Sequence, residues 1–307
     1  MSIEYSLSVK EAQDILSKTL EFAEEKRAAA GGEMKAAKNQ NYQDVLDIAT
    51  TAFNEATALL SRSNDLDQAD STILVALSAL MASGTLESMA AHTLKSDEER
   101  NSALDQALDW LDKLNAYSDR LENINRTPHG PIVWNAEIAR NIARTYERRP
   151  KVSKNNLDLA QYYYQQAIEI GQKKAIEAKR ESNPLLLNAS QSVLAVALGE
   201  RARIKALKVM HGFENIPEEE IINDYQKSCD TIWQTLDIPN LDRVDTVLQR
   251  FYVYLCKKNL PPNNPQIQKL AGMFVELEKI EAERNLGTLV KKRNESRKSQ
   301  NPEHFHH

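Results

Sequence analysis

The chain has 307 residues, of which 41% are hydrophobic, 27% charged and only 6% aromatic, with a formal net charge of -5. That length suffices for one large domain or two ordinary ones, each with a substantial core. The acidic balance supplies no general attraction to nucleic acid or to an anionic membrane, which needs a clustered positive surface. Cys229 and Cys256, without CxxC spacing, are too few for a disulfide framework; both are expected as buried packing residues in a reducing compartment. The N-terminus lacks a basic region followed by an apolar run, and no segment reads as the roughly 20 apolar residues that span a bilayer. A cytoplasmic protein without a membrane segment is the expectation.

In chain order, Ser8 and Glu11 form a capping-box pattern ahead of a helix from Val9 to Ala30, which Gly31 and Gly32 end. A second helix, Tyr42 to Leu60, carries Val45, Ile48, Ala49, Ala52, Phe53, Ala56 and Leu60 at the spacing of a buried stripe. A long, small-residue-rich helix follows from Gln68 to Leu94, with Gly84 as a candidate kink. Ser96 caps the next helix, whose first turn holds Asp97, Glu98 and Glu99 where the helix dipole favours them. The TPHGP segment, Thr127 to Pro131, is the clearest break and a candidate boundary. Beyond it the pattern predicts helices at Ile132–Arg148, Asn155–Glu181, Leu185–Met210, Pro217–Leu236, Leu241–Lys258 and Pro265–Leu286. From Lys291 the chain is polar and basic, and disorder is the expectation there. These elements predict an all-α fold of stacked antiparallel helix pairs, about ten helices in all. The divisions are N-terminal hairpins in 1–126, C-terminal hairpins in 131–290 and a basic tail in 291–307.

A packing code repeats within this stack. Ala49, Phe53 and Ala56 have the spacing A-x3-F-x2-A, and Ala160, Tyr164 and Ala167 repeat it with tyrosine in the aromatic place. Alanines let two helices of a hairpin approach, while the aromatic fills the gap to the next hairpin. Ile142, Ala143 and Tyr146 add the large, small, aromatic pattern of a first helix. On these residues the chain resembles the tetratricopeptide repeat family, most closely from Trp134 to Lys174, with Leu198 and Gly199 echoing another first helix. The match departs from the family in its RRPKV insertion, in the missing proline after its second helix, and in helices too long for a period of about 34 residues.

The resemblance implies a concave groove, lined by first helices, that holds a peptide segment of another protein. Its groove-facing positions include Arg140, Asn141 and Arg144, with Arg203 on the following first helix. Arginine offers paired donors to a carboxylate, so an acidic or C-terminal peptide segment is the implied partner. Val196 and Ala197 stand where the family's carboxylate clamp carries further polar residues. A solvated basic face balanced by Glu137 and Glu147 is the alternative reading of these residues.

Tyr162, Tyr163 and Tyr164 cannot share one helix face; Tyr164 is expected in the core, and Trp110, Trp134 and Trp233 in the core or in packing between hairpins. His92, His129 and His211 are scattered, and the terminal His304, His306 and His307 lack an orienting shell, so no metal or other cofactor is expected. The chain contains no GxxxxGK[ST], GxGxxG or GxSxG motif. The leading expectation is a non-catalytic adaptor or regulatory scaffold. One alternative is a nucleic-acid-associated factor, in which Arg201, Arg203, Lys205 and Lys208 would merge with the Lys291–Lys298 run, itself a candidate nuclear-import signal. A helical enzyme with an unfamiliar pocket is the other.

Overall fold

A computed structural model of the protein describes residues 35–62, 68–122, 124, 132–235, 241–258 and 264–283. Among these residues there are ten helices and no strand, as the all-α reading predicts. In chain order they are α1 (Lys35–Arg62), α2 (Gln68–His92), α3 (Asp97–Asn115), α4 (Ser118–Glu122), α5 (Trp134–Glu147), α6 (Lys154–Arg180), α7 (Pro184–Met210), α8 (Glu218–Trp233), α9 (Leu241–Lys257) and α10 (Pro265–Glu283). The helix expected at Val9–Ala30, the TPHGP boundary and the basic tail lie outside the described residues. The one-turn α4 has no counterpart in the sequence reading, since five residues are too few to show a helical period.

Local chemistry sets the helix ends. Ser96 Oγ accepts from the Glu99 amide at 3.1 Å while the Glu99 carboxylate accepts from the Ser96 amide at 3.1 Å, a reciprocal capping box that opens α3. Ser153 Oγ caps α6 through the Asn156 amide, and Asn183 caps α7, whose first residue is Pro184. At the end of α7, Gly212 takes φ +69 and the Phe213 amide reaches back to the Lys208 carbonyl. The same closure ends α6 through the Asn183 amide and the Ala178 carbonyl, with Ser182 at φ 53 in the place glycine would fill.

The helices form a sequential array. Among the helices longer than one turn, each packs against its neighbour in the chain; α4 also touches α2, while α5 reaches α7 and α7 reaches α9. The predicted packing code is in the core: Ala49, Ala56, Ala160, Tyr164 and Ala167 are each fully buried. Phe53 meets Trp110 edge to face at 5.1 Å, and Trp134 packs with Ile73, Leu111, Leu114 and Ile142. Trp233 is partly buried against the cluster of α7, α8, α9 and α10. Cys229 is buried as expected, but Cys256 is only half-buried.

One expectation needs correction. α2 is long and apolar enough to cross a membrane by length and composition, with a mean hydropathy of 1.5 in its most apolar window, although 67% of that window is buried in the array. Its serines and threonines hid this in the sequence. Ser78, Thr85 and Ser88 donate their hydroxyls to carbonyls four residues back, at 2.7, 2.7 and 2.8 Å, so these three polar side chains are satisfied within the helix. α2 runs unbroken through Gly84.

Two other glycines separate close approach from open space. A Cβ on Gly171 would lie 3.2 Å from Leu194 Cβ and 3.4 Å from Leu194 Cα, whereas one on Gly272 would meet nothing within 4 Å. Gly272→Ala is therefore expected to stabilise the protein by about 0.5–1 kcal/mol through backbone entropy. Gly171→Ala sets that gain against about 1–3 kcal/mol of overpacking between α6 and α7. Denaturant melts that put the two alanine variants on opposite sides of the native midpoint would bear this out; equal shifts would not.

Candidate functional site

Glu137, Arg140, Asn141 and Arg144 of α5, with Arg148 at its C-cap, are linked by steps of three or four (137 to 140 and 141, 140 and 141 to 144, 144 to 148), so they share one face. Glu87 of α2 comes to meet that face. Its carboxylate is wholly buried and accepts from Arg144 Nε at 2.7 Å, Arg148 Nη1 at 2.8 Å and the Thr145 hydroxyl at 2.8 Å. A buried carboxylate costs several kcal/mol unless paired and hydrogen-bonded, and here three donors share the task. Arg140 grips Glu137 through Nε and Nη2 at 2.9 and 2.6 Å. Asn141 donates to the Glu137 carbonyl at 2.7 Å and accepts from Arg144 at 2.6 Å.

The network continues along the same layer of helices. Arg203 of α7 donates to Glu200 through Nε and Nη2 at 3.0 and 2.8 Å and pairs through Nη1 with Glu147 at the end of α5. Tyr164 donates to the other Glu147 oxygen at 3.2 Å. Arg250 of α9 pairs with Glu200 at 2.5 Å. Charged side chains thus link α2 to α5, α5 to α7 and α7 to α9.

Exposure divides the two signs. The carboxylates of Glu87, Glu200 and Glu147 have side chains 0%, 3% and 7% exposed, whereas Arg144, Arg250, Arg203 and Arg148 are 25%, 30%, 35% and 41% exposed. Solvent therefore meets guanidinium edges and not the anions beneath them. Burial pushes the Glu147 carboxyl above its ordinary range, an effect Arg203 opposes. Burial acts on Glu200 in the same sense, but Arg250 and Arg203 outweigh it and hold that carboxyl low. Burial beside Glu200 and Glu147 keeps the Tyr164 phenol neutral.

Of the four candidate residues, Arg140, Asn141 and Arg144 are together on α5, and Arg203 joins them across Glu147. Each already has a partner within the chain, and Asn141 is buried. The remaining basic candidates face another way. Arg201 binds Asp224 at 2.9 and 2.5 Å, Lys205 binds Asp224 and Glu220 at 2.7 and 2.6 Å, and Lys208 binds Asp158 and Glu214 at 2.6 and 2.9 Å. Lys205 and Lys208 are buried, so these side chains tie α7 to its neighbours and do not form one open basic surface.

Sequence reasoning missed Glu87, Glu200 and Arg250. The signal was present for the first: Glu87 is the one acidic or basic residue between Ser71 and Ala91. A lone charge in an apolar helix has to find partners. His92 is exposed and His211 stacks on Phe213 at 5.7 Å. Among the described residues no group of histidine, cysteine and carboxylate side chains has a metal-holding arrangement. Compared with family models, curated proteins and solved structures, the chain matches none.

Proposed function

We propose that this chain is a non-catalytic interaction protein, a divergent tetratricopeptide-like array. In this reading it holds an acidic or C-terminal segment of another protein against the layer formed by α2, α5, α7 and α9. The observation that carries the reading is the arginine row, whose outer donors remain accessible while its internal anions are buried. Arg144 spends Nε and Nη2 on internal partners, and Arg148 spends Nη1, so guanidinium donors remain for a carboxylate that approaches from solvent. The charge distribution agrees: residues 1–126 contain 22 acidic and 12 basic side chains, residues 127–307 contain 22 and 27. The excess of cations lies in the half that carries most of the row.

The test should disturb the internal network as little as it can. Replacing Arg144 would strip Glu87 of its less exposed arginine and replacing Asn141 would release Arg144, so Arg140→Gln with Arg148→Gln, which leaves Arg144 and Thr145 on Glu87, is the milder probe. Proteins captured from extract are identified, and the captured partner's shortest binding peptide is titrated as a purified species. The double variant is expected to bind that peptide at least tenfold more weakly, a difference of about 1.4 kcal/mol, with unchanged circular dichroism. Equal affinity for native and variant protein would place the partner elsewhere and overturn the reading.

A further inference from the structure

Away from the arginine row, α4, the start of α5 and α6 border a partly open cavity of about 180 Å³. It is smaller than the ~300–1,000 Å³ typical of drug-sized ligands, yet at ~30 Å³ per water it has room for several. Its lining carries unusual hydrogen-bonding debts. Trp134 is 2% exposed and its indole N–H has no partner, and Asn135 Oδ1 is buried without a donor. Both residues line the cavity.

The helix end adds to this. Val133, which also lines the cavity, occupies the N-cap of α5 without a side-chain cap, so the amides of the first turn are left to other acceptors. Lys174, only 12% exposed and paired with Glu177 at 2.8 Å, and Glu122, paired with Lys173 at 3.2 Å, stand at the same lining with further ammonium donors and carboxylate lone pairs to offer, and Ile132 and Ile170 supply apolar wall. The indole N–H and Asn135 Oδ1 thus leave one donor and one acceptor unspent on the same lining. A simple anion would meet the indole, the helix amides and Lys174 but leave Asn135 Oδ1 orphaned. A simple cation would do the reverse.

We propose that this cavity binds a small α-amino acid, its carboxylate on the α5 N-terminus, the Trp134 indole N–H and Lys174, its ammonium on Asn135 Oδ1 and Glu122. The site is independent of the arginine row. A small apolar side chain would lie against Ile132 and Ile170.

The indole N–H resonances of Trp110, Trp134 and Trp233 provide the readout in the full chain, with Trp134→Phe assigning the second. Glycine, L-alanine and L-valine are titrated, with acetate and ethylammonium as half-ligands. The expected result is a saturable shift of the Trp134 signal with L-valine, and at least tenfold weaker responses to either half-ligand. Asn135→Ala and Lys174→Ala are each expected to weaken the L-valine response at least tenfold while the Trp110 and Trp233 signals stay in place. A Trp134 signal that none of the amino acids moves, or that acetate moves as well as L-valine does, overturns the proposal. So does a full response in both variants. Should either variant fail to fold, the comparison of L-valine with acetate on the native chain decides by itself.

Discussion

Replacing Glu87 by glutamine is expected to cost about 3 kcal/mol, the low end of the ~3–5 kcal/mol lost when a buried ion pair is broken from one side. The substitution removes the charge that Arg144 and Arg148 approach at 2.7 and 2.8 Å, and it brings an amide into a place where three donors converge. By the usual size scaling, about 2.1 cal/mol/K per residue over 307 residues, this lowers the melting temperature by roughly 5 °C. Arg148→Gln, by contrast, should cost below about 1 kcal/mol, because Arg148 is 41% exposed and Arg144 still holds the carboxylate. Thermal melts of the two variants check the asymmetry. A Glu87→Gln loss no larger than that of Arg148→Gln would show that the buried carboxylate does not join α2 to α5.

Arg203→Met should be comparably damaging, and its penalty should depend on pH. Arg203 stands between Glu147 and Glu200, with side chains 7% and 3% exposed, so removing it leaves two buried carboxylates with less compensation. In the native chain Arg203 lowers both carboxyls, against the burial that raises them. Without it both folded-state pKa values rise from where they stand in the native chain, and Glu147, already raised by burial, moves further above its unfolded value. A group raised in this way contributes stability below its unfolded pKa and loses it as pH climbs through the folded value. The deficit of Arg203→Met should therefore be about 3 kcal/mol at neutral pH and shrink towards pH 4, as the two carboxyls take up protons. Chemical denaturation of both proteins from pH 4 to pH 7 measures this. A deficit that stays constant over the range would mean that Arg203 acts through packing alone.

The sequence revealed the helices more fully than the site, for a physical reason. Helix positions follow from local patterns: the periodic apolar stripe of α1, the Ser96 cap and acidic first turn of α3, and the Asn183–Pro184 junction of α6 and α7 all lie within a few residues. Arg140, Asn141 and Arg144 were legible as a set because they share one helical face. Their partners were not. Glu87 is 57 residues from Arg144, and Glu200 is on a different helix from Arg250, so only the stacking of the array could bring them together. Arg201, Lys205 and Lys208 make the same point in reverse. On α7 they look like a basic surface, and only the approach of Asp158, Glu214 and Asp224 turns them into internal ties.

A stack in which each helix touches mainly its sequence neighbours behaves as a one-dimensional chain, free to unzip from either end with little cooperativity. The charged side chains change that arithmetic. Glu87 with Arg144 bypasses α3 and α4, Arg203 with Glu147 bypasses α6, and Arg250 with Glu200 bypasses α8. Opening one outer helix therefore leaves its two flanking helices still joined. The interior of the array should exchange its amide hydrogens as one block, with fraying confined to α1 and α10, which none of these ion pairs reaches.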